Sequence, residues 1–167
     1  QDLLLDGDLV LVDAGCEYRN YCADITRTFP VNGRFTESQA SIYDIVLEAQ
    51  TEAIKSLAPG KPYNTANDVT IKTITQGLVD LGILSGDVSD LIEIGSYRDF
   101  YMHQSGHWLG MDVHDVGDYR LDQIWRDYEA GMVVTVEPGI YISPDNLSVA
   151  EKWRGIGVRI EDNVVLT

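Results

Sequence analysis

Apolar and polar positions in this chain follow strand-like runs at its two ends and helical spacing between them. Residues 8–14 and 22–29 are rich in β-branched and aliphatic residues, with a polar turn around Tyr18, Arg19 and Asn20. This predicts two strands joined as a hairpin. Residues 37–57 place Ile42, Val46, Ala49, Ala53 and Leu57 on one helical face, widened by Ile45 and Ile54. Thr36 can cap this helix with Gln39 as its capping-box partner, and Pro59-Gly60 ends it. A second helix is predicted over 65–81, with Ile71, Ile74, Leu78 and Leu81 at helical spacing and Gly82 as its cap. A shorter one is predicted over 87–95, started by Ser85 or Asp87. Segment 101–116 reads as extended or loop, and 117–130 as a polar stretch. A second pair of strands, 131–142 and 156–166, closes the chain, linked by a loop marked by Pro144-Asp145-Asn146.

The two strand pairs share a motif. Residues 7–15 read GDLVLVDAG and residues 131–139 read GMVVTVEPG, so a glycine, an aliphatic run, an acid and a second glycine recur at the same spacing. Asp13 and Glu137 are the acids. Each copy is followed by another acid in extended sequence, Asp24 and Glu161. The midpoint between Asp13 and Asp24 falls in the predicted turn, so an antiparallel hairpin is expected to set them opposite each other. Two such hairpins suggest an α+β domain built of two related halves, with four carboxylates converging. Carboxylates brought together repel unless a cation lies among them, which makes this a candidate metal site.

Composition narrows the classes. A chain of 167 residues is long enough for one domain with a real core. A formal net charge of −15 excludes a nucleic-acid binder, because phosphate neutralisation needs a basic face. No apolar run is long enough to span a bilayer, and no charged-then-apolar leader is present, so no membrane partner is expected. Cys16 and Cys22 are most simply free thiols of a cytoplasmic protein.

All three histidines fall within Tyr101–Gly117, at His103, His107 and His114. One histidine alone is usually structural. Three in one glycine-punctuated stretch, in a chain with four placed carboxylates, point to a functional site. VDAG with ADITRTFPVNG, the HQSGHWLGMDVHDVG segment, TVEPGIYI and GVRIEDNVV together resemble the pita-bread metallopeptidases, and among them the bacterial Xaa-Pro aminopeptidases (aminopeptidase P). The likeness covers essentially the whole chain.

That resemblance implies a pita-bread fold of two pseudo-symmetric halves and a site for two divalent metal ions. Asp13, Asp24, His107, Glu137 and Glu161 would be the ligands. Asp24 and Glu161 would bridge both ions, Asp13 would serve one, and His107 and Glu137 the other. Four carboxylates and one imidazole suit Mn²⁺ first, with Co²⁺, Fe²⁺ or Zn²⁺ able to substitute. The implied activity is hydrolysis of an N-terminal Xaa-Pro bond by a metal-activated hydroxide. Glu137 would accept the water proton, and His103 and His114 would contact substrate and stabilise the oxyanion. Arg159 lies two residues before Glu161, on the same strand face, and reads as a guanidinium fixing a ligand carboxylate. Arg27 reads as structural, Asp112 and Asp115 as turn residues, and Trp108, Trp125 and Trp153 as core or rim packing.

The resemblance also implies missing parts. The family places another substrate-side histidine upstream of the first aspartate, and an amino-terminal domain that contributes to homo-oligomers. This chain begins at Gln1 and contains neither. Residues 1–167 are therefore expected to be an incomplete catalytic domain, its first half truncated, that binds metal with weak or no turnover by itself. The alternatives are prolidase, with the same ligands and dipeptide substrates, and a non-catalytic pita-bread binding module. Methionine aminopeptidase fits the DVHDVG continuation less well.

Overall fold

The computed structural model describes residues 3–167. Its first hairpin pairs β1 (Leu9–Asp13) with β4 (Thr26–Pro30), and the same two chains pair again farther along as β2 (Glu17–Tyr18) and β3 (Tyr21–Cys22). The turn is Arg19–Asn20, both left-handed at φ 53° and 69°, as a two-residue hairpin loop of twist-compatible type requires. This loop fixes the register with Tyr18 opposite Tyr21 and Asp13 opposite Thr26. The expected direct pairing of Asp13 with Asp24 is therefore corrected. Asp24 falls opposite Gly15 and sits diagonally from Asp13, because the turn is centred one residue later than the midpoint of the two acids. Period-two alternation still leaves Asp13, Thr26 and Asp24 on one face.

Three helices follow. α1 (Glu37–Ser56) starts with the complete capping box, Gln39 N–H donating to Thr36 Oγ1 at 3.2 Å and the Gln39 amide facing the Thr36 N–H at 2.9 Å. α2 (Thr65–Asp80) packs along it. α3 is shorter than expected, Val88–Glu93, capped by Asp87, whose carboxylate accepts from Ser89 N–H at 2.8 Å. Ile42, Val46 and Ala49 of α1 and Ile74 and Leu78 of α2 are fully buried. They pack with Ile140, Val158, Ile160 and Trp153 of the second hairpin in one core cluster. Each such large aliphatic side chain contributes about 1.5–3 kcal/mol of burial.

The second hairpin pairs β7 (Val133–Val136) with β10 (Asp162–Val165), and β8 (Gly139–Tyr141) with β9 (Gly157–Arg159). One register runs through both pairings and sets Glu137 directly opposite Glu161. The duplication is visible in the backbone: Gly7 and Gly131, which open the two copies, take φ 94° and 92°, a conformation that suits glycine. The copies differ in register, the acids facing squarely in the second and diagonally in the first.

The stretch read as a polar loop contains a small hairpin, β5 (Arg120–Leu121) with β6 (Ile124–Trp125), turned by Asp122 and Gln123 at φ 48° and 68°. Two-residue strands are too short to show alternation. Among the described residues no helix is long and apolar enough to cross a membrane.

Segment 105–109 runs antiparallel beside β7. Glu137 N–H donates to the Ser105 carbonyl (2.8 Å), Thr135 N–H to the His107 carbonyl (3.0 Å), and Leu109 N–H to the Val133 carbonyl (3.2 Å). The approach is close enough that a Cβ on Gly106 would strike the Thr135 carbonyl oxygen. Gly106→Ala should therefore cost about 2–4 kcal/mol in denaturant unfolding. A loss below about 0.5 kcal/mol would contradict this packing.

Candidate metal centre

The two hairpins meet through threonines of β4. Glu161 N–H donates to the Thr26 carbonyl (3.0 Å). The Thr28 hydroxyl donates to the Arg159 carbonyl (3.0 Å) and accepts from the Arg159 N–H (3.1 Å). Arg27 adds a clamp from the outer face, donating to the Glu161 carbonyl at 2.7 Å and pairing with Asp162 at 2.7 Å. This junction brings the acid-bearing faces of both hairpins together, and His107 reaches them from the third strand beside β7.

Asp13, Asp24, His107, Glu137 and Glu161 all enter one cluster. Asp13, Asp24 and Glu161 present ligand atoms within 4.8 Å of one another, and so do His107, Glu137 and Glu161. Glu161 is common to both triads. A third grouping within the same distance joins Asp24 and His107 to His114, whose ring stands edge-on to that of His107 at 4.3 Å between centroids. Depth is graded: Glu161 is 1% exposed, Asp24 8%, and Asp13 lies at the open rim.

The electrostatics follow from this geometry. Burial pushes Glu161 up to about 7, with further repulsion from Glu137, Asp24 and Asp13, while the Thr26 hydroxyl, donating at 2.6 Å, opposes the shift. Burial likewise lifts Glu137 to about 7, opposed by Arg159. Asp24 is raised, first by burial and then by Asp13 beside it. Arg159 donates to the Asp13 carboxylate, to Thr26 Oγ1 (3.2 Å) and to the Tyr141 hydroxyl (3.3 Å), so it holds one carboxylate of the cluster in place. One guanidinium does not neutralise four carboxylates.

One buried atom of the cluster lacks a partner that a cation would supply. Glu161 Oε1 is fully buried with no hydrogen bond. The His107 Nδ1 faces the Trp108 carbonyl at 2.9 Å, which turns Nε2 toward Asp24 (3.4 Å) and Glu137 (3.6 Å) and into the cluster. Oxygen-rich donors with one imidazole fit a hard or borderline divalent cation.

His103 lines the cleft beside this cluster, but both its ring nitrogens are engaged. Nδ1 donates to the Gln104 carbonyl (2.8 Å) and Nε2 accepts from the Tyr141 hydroxyl (2.9 Å). Burial lowers its pKa and keeps it neutral. His114 is exposed on the cleft wall. Asp115 closes the turn around His114, accepting from Met111 N–H (3.2 Å) and Val116 N–H (2.9 Å). The cleft has a volume of about 750 Å³, and its far wall is aromatic and basic: Tyr63, Tyr119, Trp125 and Arg120. Trp108 and Trp153 are buried packing residues.

Sequence reasoning missed Thr26, Thr28, Thr135, Tyr141 and Asn163. The three threonines lie in phase with the acids on their strands, which was the available signal. Asn163, with its amide oriented to satisfy both groups, brackets the Asp24 main chain, donating to its carbonyl at 2.6 Å and accepting from its N–H at 3.2 Å.

Known proteins resemble this chain in sequence and fold. The family model described as metallopeptidase family M24 matches residues 1–167. The chain is 62% identical over 164 residues to Xaa-Pro aminopeptidase of Haemophilus influenzae, covering 98% of this chain and 38% of that protein. It is 55% identical over 162 residues to the Xaa-Pro aminopeptidase of Escherichia coli, covering 97% and 36%. The solved structure of Pseudomonas aeruginosa aminopeptidase PepP superposes with a TM-score of 0.96 at 62% identity, over 97% of this chain and 37% of that one. The chain thus spans well under half the length of these relatives.

The raised carboxylates give the metal-free protein a pH signature. Glu137 and Glu161 bind protons more tightly folded, at about 7, than at the ordinary value of 4.5. Their contribution is fully present below the ordinary value and is lost as pH rises through about 7. Metal-free protein should therefore lose stability, on the order of a few kcal/mol for the pair, between about pH 5 and about pH 8. Thermal melts across this window check it. Saturating divalent cation should abolish the loss, and a flat metal-free profile would contradict the burial of these groups.

Proposed function

The chain belongs to metallopeptidase family M24 and has its pita-bread fold, and we propose that it supplies the metal-binding site of an aminopeptidase that hydrolyses the N-terminal Xaa-Pro bond of peptides. The observation that carries this reading is the pair of overlapping triads, Asp13–Asp24–Glu161 and His107–Glu137–Glu161, sharing one buried glutamate. The proline specificity is supported by the names of the relatives, which are Xaa-Pro aminopeptidases. Assembly as a homo-oligomer and a cytoplasmic location belong to the same reading. The free thiols Cys16 and Cys22 support the second.

In this reading Asp13, Asp24 and Glu161 would hold one divalent cation and His107, Glu137 and Glu161 a second, with Asp24 and Glu161 shared between them, and the hardness of the donors favours Mn²⁺. Bound there, the ions supply Lewis acidity toward a water molecule and the scissile carbonyl. The chain's own groups do the rest. The Glu137 carboxylate takes the proton of the attacking water and returns it to the departing amine. His114, free on the cleft wall, donates to the carbonyl oxygen as negative charge develops. His103 reaches substrate by exchanging its Tyr141 hydroxyl partner, and Arg159 keeps the Asp13 carboxylate in place.

Glu137→Ala in the intact, Mn²⁺-supplied protein should lower Xaa-Pro cleavage by at least about a thousandfold, and His114→Ala by about ten- to a thousandfold, mainly in kcat. Steady-state assays on an Xaa-Pro-containing tripeptide check both, and retained activity in Glu137→Ala would overturn the mechanism. Comparing that tripeptide with the Xaa-Pro dipeptide separates the aminopeptidase from a prolidase. The proposal expects the longer peptide to be cleaved at least as well, and cleavage of the dipeptide alone would establish the prolidase.

A further inference from the structure

The strand that carries His107 is gripped from outside the sheet as well as from within it. Tyr63, in the link between α1 and α2, is 8% exposed and stands at the hub of an aromatic cluster. Trp108, Tyr119 and Tyr128 lie around it at ring distances of 4.9, 4.8 and 5.4 Å. Its main chain is tied to the segment after β6. Its N–H donates to the Arg126 carbonyl (2.9 Å) and its carbonyl accepts from the Tyr128 hydroxyl (3.0 Å). These contacts hold the ring with its edge toward the strand that carries His107.

That hydroxyl donates to the Gly106 carbonyl at 2.9 Å. The same peptide plane carries the His107 N–H, which donates to Thr135 Oγ1 at 3.0 Å. The Thr135 hydroxyl donates in turn to Glu137 Oε1 at 3.4 Å. Every bond donates in the same direction, from a buried phenol through one peptide to a carboxylate. Such chains polarise each member, and a carbonyl that accepts strengthens its own amide N–H as a donor. Of the three residues that would hold the cation outside the first hairpin, His107, through its main chain, and Glu137, through its carboxylate, lie on this line, and Glu161 does not.

We infer that Tyr63 is a positioning residue for the metal centre: its hydroxyl fixes the Gly106–His107 peptide and, through Thr135, the Glu137 carboxylate, and so sets the affinity of the cation held by His107, Glu137 and Glu161. This rests on reading the cluster as a metal site. Tyr63 touches neither cation nor substrate in that role. Its ring would fill space equally well as phenylalanine, so the hydroxyl alone carries the claim.

The test uses Tyr63→Phe, Thr135→Val and the double variant in the intact protein. Mn²⁺ affinity is measured by calorimetry, Co²⁺ coordination by visible absorption, and the fold by metal-free melting temperature. Tyr63→Phe should weaken the cation on the His107 side about tenfold and alter the Co²⁺ spectrum, with a melting temperature close to that of the unaltered protein. The double variant should lose less than the product of the two single losses, because both break one chain. Unchanged affinity and spectrum in Tyr63→Phe, or losses that simply multiply, would overturn the inference and leave the metal site standing. Absence of cation binding in the unaltered protein would overturn the metal reading, and this inference with it.

Discussion

Four carboxylates share one small volume, and the fold around them is organised to keep them there. Like charges at this spacing repel, and burial adds to the cost, which is why Glu137 and Glu161 are both pushed to about 7. The chain does not relieve this with matching bases. It supplies one guanidinium, Arg159, and two hydroxyls, Thr26 toward Glu161 and Thr135 toward Glu137. It leaves a fully buried oxygen of Glu161 unpaired and an imidazole nitrogen turned toward two carboxylates. Such an arrangement is costly by itself and favourable with cations in it.

Register is the means by which the sequence builds this cluster. In the second hairpin one continuous register sets Glu137 against Glu161, and the adjoining strand brings His107 opposite Thr135, on the face that Glu137 also uses. In the first hairpin the Arg19–Asn20 turn shifts the pairing, so Asp24 reaches the site diagonally past Gly15. The duplicated halves are related in pattern but not identical in pairing. A one-residue slip in either hairpin would turn its acids to the opposite face. The two-residue difference between the copies preserves the face and changes only the distance along it.

The core-facing helices and the identities of the five clustered residues were legible because they rest on strong local signals. Thr36 and Gln39 form a complete capping box, Ile42 to Ala53 keep helical spacing, and Asp13 and Glu137 each follow an aliphatic run before a glycine, while His107 was singled out among the three histidines by the family resemblance. The hairpin register was not legible, since a left-handed Arg19–Asn20 turn lacks the glycine that normally marks one. The β5–β6 hairpin was hidden for the same reason at Asp122–Gln123. The supporting hydroxyls were hidden differently. A threonine in a strand is ordinary, and only the meeting of β4 with β9 gives Thr26 and Thr28 their role. Tyr63 is likewise an unremarkable loop residue until the fold lays segment 105–109 against it.

The central claim is that the carboxylates whose proton affinity is raised by burial are metal ligands. Calorimetric titration of the intact, metal-free protein with Mn²⁺ near neutral pH, repeated in buffers of different ionisation enthalpy, measures bound ions and released protons together. The account predicts two ions per chain, with protons released as Glu137 and Glu161 are converted to ligands. Absence of binding, or binding with no proton release, would contradict it.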